Sequence, residues 1–178
     1  MNEHGVPETA NAAADIELLC LDVDGVMTDG GILLDDRGVE IKRFCVRDGT
    51  GIRIWRRLGY EVALITGRSG DALRHRAKEL EIVHVIQGAR EKEAFFVKLL
   101  TELGLDASRA AVLADDLPDL PIMKRAGYAM AVADAVGEVR AAAAFVTSTP
   151  GGHGAVREAV EHLLKAKNRW DEAIGLFG

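Results

Sequence analysis

Four short stretches hold the side chains that could do chemistry. Asp22-Val23-Asp24-Gly25 follows the apolar run Leu18 to Leu21. Thr66-Gly67-Arg68 follows Val62 to Ile65. Lys92 stands near the start of a helical pattern, and Asp115-Asp116-Leu117-Pro118-Asp119 follows Ala110 to Ala114. If the apolar runs are strands of one parallel sheet, these sequels lie on its carboxyl edge, where open α/β folds bind ligands. Five carboxylates, a hydroxyl and an arginine then converge on one crevice. Clustered carboxylates repel one another unless a cation sits among them. An oxygen-only ligand set suits Mg²⁺, which takes a few carboxylates together with water and substrate phosphate.

Taken singly, each stretch has an ordinary explanation. Asp-x-Asp-Gly after a strand makes a turn. Thr-Gly-Arg can open a helix, an acidic pair is often a solvated loop, and a lone lysine is usually surface. Their order is what argues for a site, each piece at a strand end or a helix start.

The elements that must position them are legible as a pattern. Apolar runs at 18–21, 62–65, 83–86, 110–114, 128–132 and 144–146 alternate with helical patterns at 49–58, 70–80, 90–103, 118–125 and 154–166. Alternation of this kind predicts an α/β fold: a Rossmann-like three-layer sandwich around a mostly parallel sheet. The runs are continuous rather than alternating, as strands covered on both faces require. Asp48 and Ser69 are candidate N-caps, and Pro118 suits a helix start. Phe95, Leu99 and Leu103 form the expected apolar stripe of 90–103, with Phe96 and Leu100 beside it. Residues 31–45 break the alternation. Two short runs flank Asp35-Asp36-Arg37-Gly38, which predicts a β-hairpin inserted after the first strand. Residues 1–15 read as a flexible tail and 16–178 as a single domain, with 150–178 its C-terminal helix and tail.

Composition narrows the function classes. Hydrophobic residues make up 48% and charged residues 28%, which excludes a disordered or collagen-like chain. The net charge of −6 argues against nucleic acid or an anionic membrane as partner. No run reaches the 18 or so apolar residues of a membrane span, and acidic residues near the N-terminus do not read as a signal peptide. Cys20 and Cys45 form no CxxC pair and read as packed thiols in a reducing, cytoplasmic setting.

The order Asp-x-Asp-Gly-Val, Thr-Gly-Arg, Lys, Asp-Asp-x-x-Asp resembles the haloacid dehalogenase superfamily of phosphotransferases. Longer segments narrow the resemblance: DVDGVMTDG at 22–30, VRDGTGIR at 46–53, ITGRS at 65–69, QGAREK at 87–92, DDLPDLPIM at 115–123, AVADA at 131–135 and GGHGAVRE at 151–158. They resemble the 3-deoxy-D-manno-octulosonate 8-phosphate (KDO 8-phosphate) phosphatase family over roughly residues 17 to 175. The resemblance implies a Mg²⁺-dependent phosphoric monoester hydrolase acting on a sugar-acid phosphate. Asp22 would be the nucleophile and Asp24 the general acid and base, and alternation along an extended segment puts both on one side. Thr66 and Lys92 would hold the phosphoryl oxygens. The metal would take Asp22, the main-chain oxygen of Asp24, and Asp115, with Asp116 or Asp119 behind through water.

For the substrate, the resemblance implies contacts from Gly67, Arg68, Arg76, Asp48 and His153. An arginine at position 68 suits bidentate recognition of a sugar carboxylate, and relatives acting on 9-carbon sialic-acid-type phosphates tend to carry Glu there. Two positions depart from the family pattern: Ala114 where Gly is usual, and His153 where Arg is usual. Only 41 residues separate Asp24 from Thr66 and 22 separate Lys92 from Asp115, too few for a cap domain. A capless phosphoryl site still has to exclude water. The resemblance supplies the form: a homotetramer in which the 31–45 hairpins pack together and the 150–158 segment reaches a neighbour. If KDO is the product, the setting is lipopolysaccharide precursor synthesis. A phospho-acceptor receiver domain is set aside, because the run at 83–86 ends in Gln87-Gly88 with no Asp. A non-catalytic module of the same fold has no need of Asp22, Asp24 and Lys92 together.

Overall fold

The computed structural model describes residues 12–178. Its centre is a six-stranded, wholly parallel sheet in the order β5-β4-β1-β6-β7-β8. The strands are β1 Leu18–Leu21, β4 Glu61–Ile65, β5 His84–Ile86, β6 Ala110–Ala114, β7 Tyr128–Ala131 and β8 Phe145–Val146. β1 and β6 are buried at every residue, as continuous apolar runs require when helices cover both faces. Helices α1 Val46–Arg57, α6 Ala155–Ala166 and α7 Trp170–Gly175 pack as one group. α3 Lys92–Leu103, α4 Leu120–Arg125 and α5 Gly137–Ala142 form another, and α2 Asp71–Glu79 follows β4. The α/β sandwich without a cap is therefore as expected, and the inserted hairpin is present as β2 Leu33–Leu34 and β3 Glu40–Ile41.

Register sets the site. Leu21 pairs with Leu64 on one side and Leu113 on the other. The next residues of these strands therefore emerge together, and Asp22 N donates to Leu113 O at 3.1 Å. Around them the core includes Trp55, Phe96, Ile52 and Leu64, all essentially without exposure. Burying each such side chain contributes about 1.5–3 kcal/mol, which fixes the sheet edge as a rigid platform.

Several local expectations are corrected. The expected tail lies outside the described residues up to position 11. Residues 12–14, assigned to it, are helical, with Ala13 fully buried and Ala14 O accepting from Lys167 Nζ at 2.7 Å. Asp48 is not an N-cap of α1, which starts two residues earlier at Val46. Gly70, not Ser69, precedes α2. The buried stripe of α3 runs through Phe96, Leu99 and Leu100, while Phe95 is 39% exposed. Ala114, the departure from the family's Gly, is fully buried at the end of β6, and its carbonyl accepts from Val132 N at 3.1 Å.

Candidate active site

The sheet edge assembles a buried charge cluster. Lys92, the first residue of α3, places Nζ 2.6 Å from Asp22 Oδ1 and 2.8 Å from Asp119 Oδ1. Asp22, Asp115 and Asp119 bring carboxylate oxygens within 4.8 Å of one another. Burial, then the neighbouring Asp22 and Asp119 charges, push the Asp115 carboxyl up to about 8. Burial and Asp22 push Asp119 up to about 7, although Lys92 pulls the other way. Burial alone would lower the Lys92 ammonium, but Asp22 and Asp119 outweigh it and raise it.

These residues fit a divalent cation. With all three ionised, three carboxylates against one ammonium would leave two uncompensated negative charges, and without a cation the cluster holds protons instead. Asp115 Oδ1 is buried and has no hydrogen-bond partner, a costly state for a carboxylate oxygen. The floor beneath it is bare backbone: a Cβ on Gly25, at φ +93°, would lie 2.0 Å from Asp115 Oδ2. The C-terminal segment is pressed onto this same loop. A Cβ on Gly151 would lie 1.7 Å from Gly25 O, and Gly152 N donates to Val26 O at 2.9 Å.

A second group of charges faces the cluster from the hairpin. Asp24 is not part of the Asp22, Asp115 and Asp119 carboxylate group. Its Oδ2 accepts from Thr66 Oγ1 at 3.4 Å, and its Oδ1 contacts Lys42 Nζ. Lys42 Nζ also lies 3.3 Å from Glu40 Oε2, and Glu40 Oε1 is held by Arg68 Nη2 at 2.6 Å. Arg68 N donates to Thr66 Oγ1 at 3.2 Å, which closes a ring. Burial works against the Glu40 carboxylate, but the Arg68 hydrogen bonds and Lys42 charge prevail and hold it below the usual range. Asp24, Lys42, Thr66, Arg68, Gly70 and Gln87 line a narrow cleft that has no room for a water molecule in the free chain.

Of the predicted residues, Asp22, Asp24, Thr66, Arg68, Lys92 and Asp115 converge. Asp119 rather than Asp116 joins them: it is 1% exposed, while Asp116 is spent on a turn, accepting from Leu117 N at 2.8 Å. Gly67 is exposed between Thr66 and Arg68, with only Ala89 O near a built Cβ, at 3.9 Å. Three predicted substrate contacts make other bonds in the free chain. Asp48 is 2% exposed and accepts from Arg157 N at 2.9 Å, so it caps α6 across the fold, where Gly154 offers no side chain. Burial raises its pKa. Arg76 pairs with Glu79 at 2.7 Å, donates to Cys45 O at 3.3 Å and lies over the Phe44 ring. His153 bonds its own segment, Nδ1 to Gly151 O at 2.7 Å, and its carbonyl accepts from Arg47 at 2.8 Å. The 150–154 segment therefore packs on its own chain's Gly25–Asp29 loop. Lys42 and Glu40 were missed. The signal was alternation: Val39-Glu40-Ile41-Lys42 places two charges on one face of a strand and two apolar residues on the other.

Residues 77–159 match the haloacid dehalogenase-like hydrolase family. The chain is 44% identical over 169 residues to the KDO 8-phosphate phosphatase of Salmonella typhimurium, covering 95% of this chain and 90% of that one. The chain belongs to the KDO 8-phosphate phosphatase family of haloacid dehalogenase-like hydrolases. The fold agrees throughout. The Moraxella catarrhalis KDO 8-phosphate phosphatase, solved with magnesium ion, phosphate ion and KDO, superposes with a TM-score of 0.93 at 41% identity, covering 96% of this chain and 98% of that one. The cobalt-bound Haemophilus influenzae enzyme gives 0.89 at 38% identity, covering 94% and 99%.

Proposed function

We propose that this chain hydrolyses KDO 8-phosphate to KDO and phosphate, with Mg²⁺ bound by Asp22, Asp115 and the main-chain oxygen of Asp24. One observation carries the reading: Asp22 lies beside Lys92 inside a carboxylate cluster that, fully ionised, lacks two positive charges. Asp119 anchors Lys92 and would stand behind a bound metal through water. When bound, the cation would neutralise the cluster so that an anionic phosphate can approach the anionic Asp22.

The chain's own residues do the rest. An Asp22 oxygen attacks phosphorus in line, forming an aspartyl-phosphate as the ester P–O bond breaks. Asp24 gives its proton to the departing sugar oxygen. It then takes one from the water that attacks the phosphoenzyme, releasing phosphate and restoring Asp22. Lys92 and Thr66 hold the phosphoryl oxygens, and Arg68 pairs with the sugar carboxylate in a bidentate contact. In the free chain Glu40 occupies that guanidinium. Substrate therefore exchanges one carboxylate for another there.

The hairpin's outer face supports the tetramer. Ile32, Leu33, Leu34, Val39 and Ile41 are each more than half exposed. A patch of this kind marks an interaction surface, and four hairpins packed together would cover it and roof the site. Size-exclusion chromatography at assay concentration should give a tetramer; a monomer would count against this part. No described helix is long and apolar enough to cross a membrane. The reading places the enzyme in the cytoplasm, in lipopolysaccharide precursor synthesis.

The experiment is phosphate release from a panel containing KDO 8-phosphate and 9-carbon sialic-acid-type phosphates, with Mg²⁺ or with chelator. Turnover should be Mg²⁺-dependent, favour the 8-carbon substrate and vanish in Asp22→Asn. No turnover on any ulosonate phosphate would overturn the substrate; undiminished Asp22→Asn activity would overturn the nucleophile.

A further inference from the structure

The hairpin is more than a surface for assembly. β3 is only two residues long, yet Glu40 within it and Lys42 just after it join the charges at the sheet edge, Lys42 18 residues along the chain from Asp24. Lys42 keeps only 5% of its side chain exposed, close to the value for Lys92. A lysine at such a depth needs counter-charges, and it has two: Asp24 on one side and Glu40 on the other. Glu40 is fixed in turn by Arg68 through Nη2 at 2.6 Å and Nε at 3.2 Å. Asp24 has one oxygen on Thr66 and the other on Lys42, which leaves its carboxylate no free rotamer.

We propose that Lys42 is the positioning residue for Asp24 in proton transfer to the leaving group. The geometry argues for this role over that of a second phosphate cation. The ammonium contacts Asp24 and Glu40, whereas Lys92, on the other side, takes Asp22 and Asp119. The two buried lysines thus divide the labour, Lys92 at the attacking carboxylate and Lys42 at the proton-donating one. As the proton leaves Asp24 for the sugar oxygen, Lys42 already stands beside the carboxylate that forms. A charge set in place beforehand stabilises such a transition state without reorganisation. Glu40 keeps Lys42 on station and balances its charge, and the contact of Glu40 with Arg68 ties that station to the sugar-carboxylate site.

The inference rests on the reading of Asp24 as general acid, and leaving-group dependence tests the two separately. The measured quantity is the single-turnover rate constant at saturating substrate, with enzyme in excess. It is taken on one preparation with KDO 8-phosphate, whose alkoxide needs a proton, and with p-nitrophenyl phosphate, whose phenolate needs none. A misfolded fraction cancels from the ratio of the two. Lys42→Met should lower the KDO 8-phosphate rate constant relative to the aryl one by tenfold or more, within the ~10²–10⁴ that a general acid supplies. Asp24→Asn should show the same bias more strongly. Parallel losses on both substrates, or no loss in Lys42→Met while Asp24→Asn shows the bias, would overturn the role of Lys42 alone. Absence of the bias in Asp24→Asn would overturn the general-acid reading beneath it. A Lys42→Met defect that appears only in KM would make the lysine a substrate contact and overturn the positioning role.

Discussion

The two halves of the site are made from different material. The half around Asp22, Lys92, Asp115 and Asp119 grows directly from strand ends and one helix start; Asp22, Lys92 and Asp119 are almost wholly buried and Asp115 is half-buried. The half around Asp24, Thr66, Arg68, Glu40 and Lys42 borrows two of its five members from a hairpin, and Arg68 is 45% exposed. The first half handles charge that is the same in every turnover, and a fixed low-dielectric setting strengthens each of its interactions. On the proposed reading the second half meets the sugar, and it then has to open, exchange Glu40 for a substrate carboxylate and let a leaving group depart. The rigid core therefore stops where the chemistry becomes substrate-specific.

The contrast can be broken from either side. The largest effect belongs to the sheet-edge half. Asp22→Asn should lower kcat for every phosphate ester by about 10⁴-fold or more, as loss of a nucleophile does. Residual activity near wild type in a phosphate-release assay would place the nucleophile elsewhere. Lys92→Met should follow at about 10²–10³-fold, and equally for sugar and aryl phosphates, because it touches the phosphoryl side. A loss confined to sugar phosphates would merge the two halves.

Metal removal should be felt only on the buried side. Asp115 and Asp119, pushed up to about 8 and about 7, keep protons that the unfolded chain releases near pH 4. Between pH 4 and 8 the native state therefore binds more protons than the unfolded state, and stability falls as pH rises. Chelated protein should melt several degrees lower at pH 8 than at pH 5, and Mg²⁺ should raise the midpoint more at pH 8. Equal Mg²⁺ shifts at both pH values in a thermal melt would contradict the cluster as the metal site.

The smallest effect on catalysis concerns Asp48, whose carboxylate in the free chain accepts from Arg157 N. Asp48→Ala removes the cross-fold cap of α6 and should cost about 0.5–2 kcal/mol of stability, read from a denaturation midpoint. Its kcat/KM, corrected for the folded fraction, should stay within about twofold of wild type. A large rise in KM would return Asp48 to the substrate.

What the sequence made legible follows the same division. Continuous apolar runs ending in Asp22, Thr66 and Asp115 announce a parallel sheet and its ligand edge, since both depend on local pattern and on a fold rule. Asp119 was harder. Three acids in the loop after β6 are equivalent in sequence, and only the turn that spends Asp116 on Leu117 N selects among them. For Lys42 and Glu40 the only local signal is the alternation of Val39-Glu40-Ile41-Lys42, which does not name their partners on other elements, Asp24 and Arg68. For Asp48, Arg76 and His153 the residue type was legible and the contacts in the free chain were not. Their types suit a carboxylate substrate, but the long-range partners Arg157, Cys45 and Arg47 draw them or their backbone into packing.

The central claim is a covalent phosphoenzyme on Asp22 inside this buried cluster. Its most direct test is one turnover with radiolabelled KDO 8-phosphate and Mg²⁺, quenched in acid within milliseconds, digested and mapped by peptide. The account predicts acid-stable label on the peptide carrying Asp22, absent in Asp22→Asn and without Mg²⁺. Full release of KDO with no label on the protein at any quench time would contradict it.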